Sequence, residues 1–471
     1  MLSAFQQSKM NLIHHKFARY IVVFNYCMII LSGSVRAQSF NFSSPRFLNT
    51  DALTDENIDQ SSNFAVGKNG VCITVWMSTD RGDNAFYEDP DVFYSRSLDY
   101  GETWSLPQIL NETEDGNESA ITPDIATDGE GKWIAVWLEG DAAGENRNES
   151  DIFYTVSADD GNTWSTPKVV NSYAFDDTGG ESSPRVMYAS NTWVTYWISI
   201  ENYKGLVGTD FDLFFAVLDN DGESWSEARV LNSDAQTDSD SDREFSLNYN
   251  SQGSWIALWS KQISNKYDIY YSVSHDNLEN WSTLKRLINT GSNNSSFVTR
   301  PSIESNPTGS WLASWSARED SDSDYDIYYS ISNDKGTSWS NPLILNTNAS
   351  MEELDDLGVQ TKYNSGIWVA TWSTGKIRFF DGMTIEELDI LYATSIDYGR
   401  TWSSPQNLNT NALTDEDNDG FPFLSFDSQG KLIAIWTSYD SLGGIIGSDR
   451  DLLFTTGQIT FDEFGSSLII R

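Results

Sequence analysis

Two kinds of apolar segment alternate along the chain at a regular beat. The first runs Trp-x-x-x-Trp, as in Trp133-Ile-Ala-Val-Trp137, Trp193-Val-Thr-Tyr-Trp197, Trp255-Ile-Ala-Leu-Trp259, Trp311-Leu-Ala-Ser-Trp315 and Trp368-Val-Ala-Thr-Trp372. Weaker copies end at Trp76 and Trp436, and successive closing tryptophans lie 61, 60, 62, 56, 57 and 64 residues apart. The second opens on an aspartate and continues apolar or aromatic: Asp91-Val-Phe-Tyr, Asp151-Ile-Phe-Tyr, Asp212-Leu-Phe-Phe, Asp268-Ile-Tyr-Tyr, Asp326-Ile-Tyr-Tyr, Asp389-Ile-Leu-Tyr and Asp451-Leu-Leu-Phe. Alternation built from β-branched and aromatic residues predicts strands for both. A tight turn follows, then a fourth strand such as Pro107-Gln-Ile-Leu-Asn111 or Pro342-Leu-Ile-Leu-Asn346. A first strand precedes each tryptophan pair, as at Pro301-Ser-Ile. Four short strands per repeat of about 60 residues predict a propeller blade.

The two ends of the chain complete each other. Phe42-Ser-Ser-Pro-Arg-Phe-Leu-Asn-Thr-Asp-Ala-Leu-Thr-Asp-Glu-Asn57 matches Trp402-Ser-Ser-Pro-Gln-Asn-Leu-Asn-Thr-Asn-Ala-Leu-Thr-Asp-Glu-Asp417. The chain therefore enters in mid-repeat, on a fourth strand, and the last repeat stops after its third strand, near Thr456. The expected fold is all-β: a seven-bladed β-propeller of four-stranded blades, its ring closed by the N-terminal strand. Closure removes the free sheet edges that an open array would expose. The propeller is expected over 38–460, with a C-terminal tail over 461–471. Residues 1–37 read as a secretory signal peptide. Lys9, Lys16 and Arg19 precede a short apolar run from Tyr20 to Leu31, and Val35 and Ala37 suit a cut before Gln38. The product is then secreted or extracytoplasmic, with no membrane attachment after cleavage, and is expected to be a monomer.

Composition narrows the chemistry. With 29 Lys+Arg against 69 Asp+Glu the formal charge is −40, which repels phosphate backbones and excludes a nucleic-acid partner. Two cysteines, of which only Cys72 lies beyond the leader, allow no internal disulfide. One histidine beyond the leader, His275, argues against zinc sites and histidine-dependent triads. Sequons at Asn41, Asn111, Asn117, Asn148, Asn280, Asn293, Asn294 and Asn348 would matter only in a glycosylating host.

Between strands three and four runs Ser-x-Asp-x-Gly-x-Thr-Trp, at 97–104, 157–164 and 395–402, and with Ser for Thr at 332–339. Degenerate copies at 218–225 and 274–281 carry Asn220 for the Asp and Leu278 for the Gly. The Asp accepts backbone N–H groups, the Gly supplies a positive φ, and the Trp packs the turn. The motif resembles the Asp box, or BNR repeat, of the sialidase superfamily, and the resemblance covers the whole chain after the leader. It implies that the boxes are folding elements on the face opposite an active site. The superfamily includes sialidases, xyloglucan-cleaving glucanases, sorting receptors and an assembly factor, so fold alone does not select a function. Sialidases of this kind usually have six blades and an Arg-Ile-Pro signature; this chain counts seven blades and lacks the signature.

Features repeated in every blade, including the seven strand-three aspartates, read as architecture. Asymmetry marks candidate function, and it gathers in the loops that join strand two to three and strand four to the next blade. Between closing Trp and strand-three Asp lie 14, 13, 14, 8, 10, 16 and 14 residues, so blades four and five form the low side of a cleft. Loop aromatics Phe86, Tyr87, Tyr203, Phe379, Phe380 and Tyr439 are candidates for sugar stacking. Sialic-acid chemistry requires an arginine cluster, a Tyr–Glu pair and an acid. Arg185, Arg243 and Arg300 stand near the starts of three consecutive inner strands, Glu244 follows Arg243, and Asp124 holds the Arg185 register one blade earlier; these five are the catalytic candidates. On the same face Asp238, Asp240 and Asp242, and Asp415, Asp417 and Asp419, alternate as calcium ligands would. The expectation is a propeller that binds a glycan or glycoprotein through its loop-rich face, with an exo-sialidase-like glycoside hydrolase as the alternative and calcium as a candidate cofactor.

Overall fold

The computed structural model describes residues 38–461, apart from 51, 53–57, 80–89, 112–117, 142–149, 171–179, 201–206, 209, 219–223, 265, 288–296, 319–322, 352, 380–382, 413–417 and 444–448. The leader and the tail lie outside the described residues. Phe40–Gln458 is one compact unit. The remainder, Met1–Ser39 with Ile459–Arg471, groups separately, and only residues 38, 39 and 459–461 of it are described, all in strands.

The described strands form seven antiparallel sheets, each an up-and-down meander from inner to outer strand. Blade five shows the plan: Phe297–Ser305, Trp311–Arg318, Asp326–Ser332 and a two-residue outer strand, Leu343–Ile344. The Trp-x-x-x-Trp strand is second in each sheet, between the inner and third strands, so its two faces look toward neighbouring blades. Its seven closing tryptophans are each at most 1% exposed. Inner strands of neighbouring blades touch, save between blades three and four, where the second and third strands of blade three meet the inner strand of blade four; that of blade seven, Asp419–Phe426, touches that of blade one, Ile58–Val66. The ring is closed.

Closure uses the N-terminal chain as expected. Arg46–Phe47 pairs with Leu453 and Phe454 as the outer strand of blade seven. Ser43 N–H donates to Thr456 O at 2.9 Å, and Gln38–Phe42 lies along the same edge. The third strand of that blade runs from Asp451 to Phe461, past the expected stop near Thr456.

Two repeated devices join the blades. The first is aromatic. The box tryptophan of each blade meets the strand-three aromatic of the blade before it, edge to face: Trp164 on Tyr94, Trp225 on Tyr154, Trp281 on Phe215, Trp339 on Tyr271 and Trp402 on Tyr329, at 5.6–6.1 Å. Trp104 does the same on Phe454 across the closure. Blade seven has no box tryptophan, and Phe42, which aligns with Trp402, takes its place 5.0 Å from Tyr392.

The second device is polar. At the end of a fourth strand, Asn346 donates its amide to Asp326, at the head of strand three, and to Asp356, in the first strand of the next blade, at 2.8 and 2.6 Å. Its Oδ1 accepts Ile327 N–H at 3.1 Å. Asn232 clasps Asp212 and Asp242, Asn409 clasps Asp389 and Asp419, and Asn49 clasps Asp451 and Asp59 in the same way. Asp212, Asp326, Asp389 and Asp451, each at the head of a third strand, thus serve as architecture, capped by an asparagine.

Candidate functional site

Every inner strand breaks its ladder register at one point, opposite the closing tryptophan. The residue at the break has a positive φ: Ser61, Thr122, Ser183, Glu244, Arg300, Gly358 and Phe421, in blade order. These bulges form a ring at the loop-face end of the inner strands. A bulge re-aims the side chains around it, so they decide what the chain presents at the axis.

Three of the five catalytic candidates meet there through blade seven. The Arg300 guanidinium lies 4.5 Å over the Phe421 ring, and that of Arg185 lies 5.9 Å over Phe423. Blades three and five are not neighbours of blade seven, so both side chains span the central opening. Gly358 leaves Arg300 its path: a Cβ there would stand 3.4 Å from the Arg300 Nη1. Glu244 Oε2 accepts the Arg300 backbone N–H at 2.6 Å. Burial pulls the Arg300 pKa down, Glu244 opposes this, and the positive charge of Arg185 adds to it. The two guanidiniums thus stand over neighbouring aromatic residues of one strand, Phe421 and Phe423.

Arg243 and Asp124 do not join them in the expected roles. Arg243 stands one residue before its bulge, and its guanidinium stacks 4.4 Å over Phe211, in the loop of the preceding blade. The three arginines occupy three register positions, before, at and after the bulge, and each is aimed differently. Asp124 is 6% exposed, and its oxygens are held by donors from both sides: Asn63 Nδ2 on Oδ1, and Val186 N–H on Oδ2 at 2.7 Å. Arg185 Nη1 adds an ion pair at 3.6 Å. Burial pushes the Asp124 carboxyl up, against Arg185 and the backbone donors. It works as a strut between blades one, two and three.

The calcium candidates divide. Asp415 and Asp417 lie outside the described residues. Asp419 and Asp242 are clasp residues, each at most 1% exposed and holding an asparagine amide at 2.6 Å. Around 238–242 the ammonium of Lys261 stands where a calcium was expected. It contacts Asp234 at 2.8 Å, Asp242 at 3.3 Å and Asp238. Lys261 follows Trp259 by two residues, and its register partner is Asp242. The alternating acids alone did not reveal this neighbour. Asp240 is not among the Lys261 partners, and Asp238 also faces Asp210 and Asp212, with one carboxylate oxygen of each within 4.8 Å of the others.

Of the loop aromatics, Phe86, Tyr87, Tyr203, Phe380 and the Phe379 side chain lie outside the described residues. Tyr439 is exposed, and its hydroxyl receives Arg450 Nη2 at 2.6 Å. An open depression of about 470 Å³, lined by Ser350, Met351, Glu353, Leu354 and Lys376, sits where the connection into blade six meets that blade's long hairpin. It is separate from the arginine pair.

The turn motifs have the expected geometry. Asp159 takes Thr163 N–H at 2.8 Å and Thr163 Oγ1 at 2.7 Å, and Ser157 Oγ takes Gly161 N–H at 2.9 Å. A family model described as a BNR repeat-like domain matches residues 72–302. Over that span the chain is similar to BNR-repeat proteins, and the fold that carries it is a seven-bladed β-propeller. No curated protein matches its sequence. Among solved structures, the propeller is similar to a protein of unknown function from Dyadobacter fermentans, with 10% identity, TM-score 0.51, and 89% of this chain and 99% of that one covered. It is also similar to the Hadza microbial sialidase Hz136, with 16% identity and TM-score 0.44 over 67% of this chain and 63% of that one. The α-L-arabinanase of Penicillium chrysogenum gives 14% identity and TM-score 0.46 over 88% and 98%. The chain thus spans less than two thirds of the sialidase's length. At these identities the likeness is one of fold.

Proposed function

We propose that this propeller binds a glycan or glycoprotein bearing a carboxylate sugar, through Arg185 and Arg300 at the axis, without cleaving it. The observation that supports this most is the convergence of two guanidiniums from separate blades on the aromatic pair Phe421 and Phe423. In a chain of net charge −40, such a spot is where an anion is drawn and held. A guanidinium offers a paired set of donors that suits a carboxylate. The exposed face of Phe421 adds an apolar surface for a sugar ring. The leader sequence supports secretion, which would bring the protein to such ligands.

The hydrolase alternative needs an activated nucleophile and a proton donor. Tyr196 is the tyrosine that senses both Asp124 and Arg185. Its hydroxyl is pushed up to about 12, first by burial and then by Asp124, which is the reverse of activation. Both oxygens of Asp124 already accept hydrogen bonds from the protein. Glu244 is the carboxylate beside Arg300 on which the alternative would rest.

Calorimetric titration with a sialylated trisaccharide and a glucuronate disaccharide, beside a fluorogenic sialoside assay, tests the reading. Wild type should bind one of the two acidic sugars, Arg300→Ala should weaken that binding at least tenfold, and no fluorophore should be released. Turnover that depends on Glu244 would establish the hydrolase instead, and absence of binding to both sugars would overturn the proposal.

A further inference from the structure

The junction of blades three and four gathers five aspartates, three of which bring carboxylate oxygens within 4.8 Å of one another. Asp210 and Asp212 come from the end of the blade-three loop and the head of strand three; Asp234 and Asp238 come from the connection into blade four; Asp242 comes from the inner strand of blade four. Lys261 is 3% exposed and lies against Asp234, Asp238 and Asp242. One ammonium thus serves a cluster of five carboxylates.

Asp212 is fully buried, and only one of its oxygens is satisfied: Oδ1 takes the Asn232 amide at 2.7 Å, while Oδ2 has no hydrogen-bond partner. A buried carboxylate oxygen left in that state is costly unless a cation meets it. Asp212 presents an oxygen within 4.8 Å of oxygens from Asp210 and Asp238. Ligands 2.3–2.6 Å from a common calcium ion stand no farther apart than about that distance. The cradle is shaped tightly. A Cβ on Gly208 would lie 2.6 Å from Asp210 Oδ1, 3.4 Å from the Asp238 carbonyl oxygen and 3.5 Å from that of Ala235.

We propose that Asp210, Asp212 and Asp238 bind a calcium ion that ties the blade-three loop to the connection into blade four. The donors are oxygens without nitrogen or sulfur, which selects a hard cation over zinc or copper. Three carboxylates, with water completing the shell, suit the larger and more permissive calcium better than magnesium, which demands a strict octahedron. The ion would stand beside the segment that carries Phe211, the platform under Arg243, and so fix the loop wall nearest the axis on that side. This site differs from the alternating 238–240–242 set, because Lys261 already occupies the Asp238–Asp242 side.

Terbium luminescence sensitised by tryptophan, with calcium as competitor, reads the site directly, and calorimetry with calcium alone gives its affinity. Wild type should show saturable binding, and calcium should raise the melting temperature more than magnesium or sodium at matched ionic strength. Asp210→Asn should weaken calcium at least tenfold. That residue does not contact Lys261, so the variant keeps the ammonium cluster whole, and Asp238→Asn provides a second test. Asp240→Asn should bind as wild type. An absence of saturable binding, full affinity in Asp210→Asn and Asp238→Asn, or loss of binding only in an Asp415→Asn/Asp417→Asn variant would each overturn the proposal.

Discussion

A box glycine shows how a single residue is chosen by its neighbour in another blade. Gly161 has φ +74°, a conformation that costs side-chain-bearing residues, and a Cβ there would come within 2.1 Å of Ile73 Cδ1. Gly336 meets Ile256, Gly399 meets Leu312 and Gly101 meets Ile433 in the same way. Blade four breaks the rule with Leu278 at φ +72°, fully buried, and the residue at the matching place in blade three is the shorter Val194, in the same apolar cluster. The sequence motif shows that Leu278 departs from the pattern; only the packing shows why it is accepted. Gly161→Ala should therefore destabilise the fold by about 1–3 kcal/mol in denaturant titration. Ile73→Val, costly alone, should cost less in the Gly161→Ala background, because the two changes share one space. Additive effects would mean that backbone strain alone governs the position.

At the scale of strands and their connections, the asparagine that ends a fourth strand does more than terminate it. The segments Phe47-Leu-Asn49, Val230-Leu-Asn232, Ile344-Leu-Asn346 and Asn407-Leu-Asn409 are all visible in the chain. Their partners, however, lie 10 residues ahead and 20 behind, or across the chain ends, and only the sheet brings them together. The same fact corrects the reading of Asp242 and Asp419 as metal ligands: alternating acids on a loop look alike whether they face a cation or an amide. Removing the Asn346 amide takes one donor from the buried Asp356 and one from the half-buried Asp326, and each loss costs about 1–3 kcal/mol. Asn346→Ala should thus destabilise by about 2–4 kcal/mol with an unchanged denaturant slope. A loss under about 0.5 kcal/mol would show that water replaces the amide.

For the propeller as a whole, blade number, strand order and the way the ring closes were all legible, because each is written as a repeat with a two- or four-residue signature. Phe42, standing where Trp402 stands one repeat earlier, even marks which strand completes blade seven. The axis was legible only in part. Arg185 and Arg300 could be picked out by their asymmetry, but their convergence depends on bulges that shift each side chain by a single register, and on Phe421 and Phe423 from the far side of the ring. Nothing in the spacing separates Arg243 from the pair, and it is Phe211 that draws it away. The central claim is that the paired guanidiniums recognise a carboxylate, and the most direct test uses one ligand in two forms. Calorimetry should compare the acidic glycan that binds best with its methyl ester, which keeps every sugar hydroxyl and removes only the charge. The ester should bind wild type at least tenfold more weakly than the acid, and Arg300→Ala should bind both forms equally weakly. Equal affinity of wild type for acid and ester would contradict the account.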